Sequence, residues 1–493
     1  MKRRELDYRW VVLINTTIAV FMTSLDNSIL TISLPDILRS LNASVVEIMW
    51  VVMGYSLVIT SLLLPFGRLA DMKGRVRLFN IGLVLFTVAS MMCGLSQSGM
   101  QLVMARFIQG IGAAMVMANS VALLTDAFPL EQRGQALGFN MMAATGGWVF
   151  GSVAGGVITQ FLGWRYVFFV NAPIGLLGAV WCFLKLRETS QPELKARFDL
   201  GGIITFPLAV ASILAGLTFV TVGRWGWPET NVLFVAGVLL LGAFGFIERR
   251  VREPMMDLEL FKIRVFSAGN FAVLLNALGR GSTLFIMSWY FQAVLQDQPA
   301  IAGLKTLPLA ASMVIVSPLA GKLADQMSSR FLSTAGLAGN LIAMAALAIV
   351  PVNVPYPVLC GVFILMGLAN AFFNAPNTTA VMSAVPASRR GVAAGARTLL
   401  LNSGQTMSIA LTMAIVATTV SYQTLVLLFG GSADAQLGLD GVAFMTGLHK
   451  LFMVSALLCL AAMVCSAMRG TEPAHDHMRA TAPARAELAE ALA

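Results

Sequence analysis

Residues 67–75 read GRLADMKGR, and residues 321–329 read GKLADQMSS. The two aspartates, Asp71 and Asp325, stand 254 positions apart, and each lies in a short basic segment between two apolar runs. The same offset carries the first five apolar runs (10–34, 46–66, 78–97, 100–124, 136–160) to within a few residues of 266–292, 301–322, 331–350, 356–381 and 392–420, apart from the longer end of the last. The sixth run, 165–185, would land on 419–439, yet the final run begins near 448, about 29 residues late. That lag marks an insertion at 421–447 in an outer loop. Two further runs, 200–222 and 230–248, separate the copies. Runs of roughly 20 apolar residues suit a bilayer-spanning helix. The expected architecture is therefore an all-α polytopic membrane protein of fourteen spans, two six-helix bundles plus two extra central helices. Its parts are 1–186, the central pair 187–265, 266–468, and a disordered tail, 469–493.

Composition agrees. Of the 493 residues, 57% are hydrophobic and 12% charged, with a mean hydropathy of +0.79. Soluble domains carry about 25% charged residues, so most soluble enzyme and DNA-binding classes are excluded. The net charge of +9 is topological. On this span assignment 25 of the 33 Lys and Arg fall on the side of the termini, which the positive-inside rule makes cytoplasmic. No nucleic-acid partner is expected, and the bilayer is the first partner. Cys93, Cys182, Cys360, Cys459 and Cys465 form no CxxC pair and read as small apolar fillers. The only histidines, His449, His475 and His477, lie at or beyond the last span, with no Walker loop and no membrane HExxH. No enzyme activity, metal or cofactor is expected. A proton gradient would be the energy source, and the protomer is read as a monomer.

Repeats related by an axis along the membrane normal are a mark of secondary transporters, with the binding site between the halves. LDNSILTISLP (25–35), RFIQGIGAA (106–114), GWRYVFFVNAPIG (163–175), EPMMDLELFKIRVF (253–266) and AGLKTLP (302–308) accompany the repeated loop. Together they resemble the major facilitator superfamily, in its fourteen-span drug:proton antiporter branch. The chain departs from that pattern at Ser28 and Ser33 in the first span, at Ser152 where the family has proline, and at Ser328 in place of the second loop glycine. The resemblance implies multidrug-type efflux of a small amphipathic substrate across the cell membrane, driven by protons through alternating access. A periplasmic adaptor is implied only where the host has an outer membrane. A uniporter or symporter of a lipid-like or anionic metabolite stands as the alternative, with a membrane sensor or enzyme behind it.

Each motif has a physical reading. Gly67 and Gly74 permit a tight turn, and Asp71 can accept from a helix N-terminus of the other half while Arg68 and Arg75 clamp it. The resemblance implies a latch, with Asp325 its weaker counterpart. The plainer reading is a topogenic basic turn. Gly138, Gly147, Gly151, Gly155 and Gly156 have the small-residue spacing that lets helices touch backbone to backbone.

Charges inside the spans are the most informative feature, since Asp or Arg at the bilayer centre costs ~2.5–3.5 kcal/mol on insertion scales. Asp26 and Arg106 are read as proton carrier and modulator, or alternatively as a static ion pair. The 254-residue offset places Arg280 opposite Asp26. The resemblance makes spans one, four, nine and twelve line the cavity. The expected substrate cavity is Met22, Asn276, Arg280, Thr283, Met287, Asn370, Phe373, Asn374 and Asn377. With Asp26 protonated, the remaining charge would favour an anionic or zwitterionic amphiphile. Helix-to-helix hydrogen bonding is the competing reading of the asparagines, and Lys305 and Arg397 are read as able to snorkel.

Overall fold

The computed structural model describes residues 7–188, 199–224, 226–251, 254, 256–351, 354–386, 389–421, 424–425 and 437–470. The expected tail beyond 470 and residues 426–436 of the expected insertion lie outside them. Fourteen helices among the described residues are long and apolar enough to cross a membrane. They are α1 (Tyr8–Leu41), α2 (Val45–Lys73), α3 (Arg75–Leu95), α4 (Gly99–Ala127), α5 (Leu130–Phe161), α6 (Arg165–Lys185) and α7 (Leu200–Thr221). The chain continues through α8 (Pro228–Glu248), α9 (Arg264–Val294), α10 (Pro299–Gln326), α11 (Ser329–Leu347), α12 (Tyr356–Ser383), α13 (Arg390–Val416) and α14 (Leu437–Ala467). An even number of crossings brings both ends to one face, the terminal side.

Local chemistry sets the helix ends. Ser44 caps α2 in a capping box, its hydroxyl accepting from the Glu47 N–H at 3.2 Å while Glu47 accepts from the Ser44 N–H at 2.7 Å. Ser98 caps α4, and Pro228 and Pro299 sit in the first turn of α8 and α10, where a missing N–H costs nothing. Gly74 alone joins α2 to α3 with φ 103°, and Glu188 fills the space a side chain would need. Large apolar side chains such as Phe183, Leu177 and Leu239 face outward, as lipid contact requires. α8 is the least covered of the spans.

Packing follows the repeat. In the first half α1 lies on α5 and α4 on both α2 and α3; in the second, α12 lies on α10 and α11, and α9 on α13 and α14. The halves meet along α5–α10 and α2–α13. The repeat offset pairs α2 with α10 and α5 with α13, so these two contacts are one interface seen twice. The central pair breaks that symmetry: α7 packs on α2 and α13, covering one seam only.

Two spans depart from a continuous sequence reading: α6 is interrupted at Val170, and α9 more deeply. α9 is read as continuous but divides into Arg264–Arg280, Thr283–Trp289 and a wider turn at Tyr290–Val294. At the break the Ser282 N–H donates to Ser408 Oγ of α13 at 3.0 Å instead of to its own helix. The hydroxyl of a neighbouring helix satisfies the freed backbone group, as non-helical backbone at membrane depth demands.

Candidate functional site

A cavity of about 980 Å³ lies between the halves. Its lining runs from Arg68, Asp71 and Asp199 at the terminal side inward to Asn27, Phe285 and Gln405. Beyond it the far side is closed. Gln292 Nε2 donates to the Ile32 carbonyl at 3.0 Å and Ser288 Oγ to the Thr31 carbonyl at 3.3 Å, joining α9 to α1. Gln160 Oε1 accepts from the Ala300 N–H at 3.2 Å and its amide nitrogen donates to Gln298 at 2.8 Å, joining α5 to α10. The arrangement is a one-sided vestibule.

Asp26 lies beside this cavity and does not line it. Met22, Ala19 and Asn15 share its helical face, as the periodicity requires, but that face points into the first bundle and all four are buried. The opposite face of α1, with Ser24, Asn27 and Ser28, meets the cavity. Met22 is thus corrected from a cavity position to a core one. Asp26 Oδ2 pairs with Arg106 Nη1 at 2.6 Å, and Oδ1 accepts from Asn171 Nδ2 at 2.7 Å and Gln109 Nε2 at 3.0 Å. Arg106 also donates to the Val51 carbonyl at 3.1 Å and to Gln109 Oε1 at 2.6 Å, and its guanidinium stacks 3.9 Å from the Tyr55 ring centre. Both partners have 0% side-chain exposure. Three donors on one carboxylate, one of them a cation lying over an aromatic ring, make a buried pair that is well satisfied on the anionic side. Gln109 and Asn171 went unselected in the sequence, although both lie within motifs quoted for the resemblance.

Arg280 does line the cavity, at the end of the first segment of α9. The other expected cavity residues do not. Asn276, Thr283, Met287, Asn370, Phe373 and Asn377 are buried inside the second bundle, and Asn374 is also absent from the lining. Two of these amides, Asn276 and Asn377, bind helix to helix, whereas Asn370 donates to the Met366 carbonyl of its own helix at 2.9 Å. Asn276 accepts from Asn340 at 3.1 Å, while Asn377 donates to the Gly269 carbonyl at 3.3 Å and accepts from Arg469. Arg469, placed by sequence at the start of the tail, is fully buried. The second-half wall is instead α13, through Gly395, Arg397, Thr398, Leu401, Asn402 and Gln405.

At the mouth Asp71 is held by Arg75 at 2.9 Å, and Arg75 reaches Asp126 at 2.6 Å. Glu188 accepts from the backbone N–H groups of Arg75 and Val76 at 3.0 and 3.1 Å, capping α3. Gly67, Arg68 and Asp71 face the vestibule, and Asp325 lies within α10. Sequence reasoning missed Asp126 and Glu188. Of the five glycines, Gly147, Gly151 and Gly155 press on the α1 carbonyls of Phe21, Leu25 and Ile29, and Gly156 presses on Pro299 of α10 in the other half. A Cβ at Gly138 would meet nothing within 4 Å. Two departures from the family pattern answer each other: Ser28 Oγ and Ser152 Oγ are 2.8 Å apart, and Ser33 bonds Thr159 at 2.6 Å.

Two repeated bundles around a one-sided vestibule define a polytopic membrane transporter. The chain belongs to the Major Facilitator Superfamily, whose family model matches residues 16–408. It is 33% identical to Multidrug resistance protein Stp of Mycobacterium tuberculosis over 85% of this chain and 78% of the relative. It is 30% identical to Puromycin resistance protein pur8 of Streptomyces alboniger over 92% and 90%, and 29% identical to Riboflavin transporter RibZ of Clostridioides difficile over 78% and 83%. Its fold matches the inward-facing, occupied crystal structure of a bacterial homolog to the human lysosomal transporter Spinster. The TM-score is 0.66 at 18% identity, covering 94% of this chain and 97% of that one.

Proposed function

We propose that the chain exports small amphipathic compounds from the cytoplasm, using protons that titrate Asp26. Both termini are cytoplasmic in this reading, so the vestibule opens inward in the cell membrane. The observation that carries it is the division of labour on α1: one face holds the buried Asp26–Arg106 pair and the other faces the cavity. Protonating Asp26 removes the charge that holds Arg106, and loosens α1 from α4. Because α1 rests on the glycine face of α5, and Gly156 of α5 on α10, a shift of α1 is passed to the far-side seal. Resistance relatives among the similar proteins support efflux as the direction.

The similarity to a riboflavin transporter supports a second reading, uptake or facilitated passage of a metabolite. Inside-out vesicles separate the two. Acidifying the lumen should drive an amphiphilic dye inward and an ionophore that collapses the gradient should release it. Accumulation that ignores the gradient would favour the second reading.

A further inference from the structure

Two cations line the wall of the vestibule away from its rim, Arg280 on α9 and Arg397 on α13. An arginine side chain stays protonated in any protein environment. Neither forms an ion pair among the described residues, and the Nε of each is buried without a hydrogen-bond acceptor. The acidic groups of the described residues that reach the same cavity are at its rim: Asp71 is held by Arg75, and Asp199 caps α7 through Oδ1, which accepts from the Gly202 N–H at 2.9 Å, while its buried Oδ2 has no partner. Asp26, the acid that the repeat places at the depth of Arg280, is sealed inside the first bundle against Arg106.

Resting on the reading that this cavity receives the cargo, the geometry points to an anion-recognising wall, Arg397 then Arg280, that selects amphiphiles carrying a carboxylate, sulfonate or phosphate. Gly281, next to Arg280, touches Gln405 of α13, and eight residues of helix, about 12 Å, separate Gln405 from Arg397. The two guanidiniums are thus successive rungs. A headgroup entering from the cytoplasm meets Arg397 first and Arg280 deeper, with Asn402 and Gln405 between them as neutral donors. Met117, Trp148, Leu284 and Phe285 offer apolar surface for the body of the molecule. A guanidinium left with open donors in a place of low dielectric is a standing demand for an oxyanion. A cation would meet only repulsion along this wall. The selectivity is therefore the reverse of what a carboxylate-lined cavity would give, and it belongs to the second half alone.

The test is equilibrium binding to the purified full chain in detergent, read by dansyl fluorescence, with three probes: dansyl-undecanoate, its methyl ester, and the matching dansyl-undecylammonium. The carboxylate should bind at least tenfold more tightly than the ester, and the ammonium more weakly than the ester. Arg280→Gln and Arg397→Gln should each bring the carboxylate towards the ester's affinity without changing the ester's own. Arg280→Lys and Arg397→Lys should keep most of the preference, and they serve where a Gln variant fails to fold. Equal or tighter binding of the ester or the ammonium to the unmodified chain overturns the inference, as does a Gln variant that keeps the full preference. Because binding needs no gradient, a preference for the carboxylate with no proton-driven accumulation would reject the exporter and leave the anion wall standing.

Discussion

Replacing Asp26 by asparagine leaves shape and volume nearly unchanged and removes one charge from a pair with no exposure to solvent. Arg106 would then be a buried cation facing an amide. Breaking a buried pair by removing one partner costs about 3–5 kcal/mol. The neighbourhood sharpens the loss, because Arg106 Nη1, Gln109 Nε2 and Asn171 Nδ2 all donate to this carboxylate. An amide brings two donors of its own into a ring of donors, so at least one neighbour must turn. The value should sit in the upper part of that range unless Gln109 and Asn171 both flip. Replacing both charged residues, as Asp26→Asn with Arg106→Gln, removes the stranded charge and should recover much of the loss, since neutral replacement of a whole buried pair is often near neutral. Unfolding in mixed micelles would therefore rank the chain above the double variant, and the double variant above Asp26→Asn. The double-variant cycle should show a coupling of about 2 kcal/mol or more. Additive losses, or an Asp26→Asn protein as stable as the unmodified one, would refute the pairing argument.

Gly155→Val should destabilise by about 1–3 kcal/mol through overpacking, because any side chain there overlaps the Ile29 backbone, whereas Gly138→Ala should be tolerated; thermal unfolding compares them. Gln292→Ala removes the donor that ties α9 to the Ile32 carbonyl. At about 1 kcal/mol for the bond, it should raise the outward-open population roughly fivefold, read by labelling a cysteine placed at Thr31 with a membrane-impermeant thiol reagent added from the far side only, since Thr31 already lines the vestibule. Asp71→Asn should leave stability nearly unchanged, since Arg75 keeps Asp126, yet slow the transport cycle if Asp71 is the latch on the opposite state. Equal turnover of that variant and the unmodified chain would remove the latch.

The halves and the extra pair were legible because one offset ordered ten spans at once, and membrane helices announce themselves by length. Which polar faces meet the cavity was not legible. Inside a membrane protein a polar stripe serves a cavity or a helix-to-helix contact equally well, and the two look alike in one sequence. Asn377 on α12 proved to be the second kind and Asn370 bonds its own helix, while α13, with Arg397, was the wall. Asp26 and Arg106 were found because charge at that depth is costly enough to stand out. Their partners Gln109 and Asn171 were overlooked because neutral amides are not. Ser28 and Ser152 read as separate departures from a pattern, and only their 2.8 Å contact shows that they act together.

The claim at the centre is that Asp26 carries the coupling proton. Liposomes holding the purified chain and a pH-sensitive dye test it when an amphiphilic substrate is added on one side. The unmodified chain should move protons only when substrate is present, and the Asp26→Asn variant, shown folded by its unfolding transition, should move none. Substrate-dependent proton flux that survives in that variant would contradict the account.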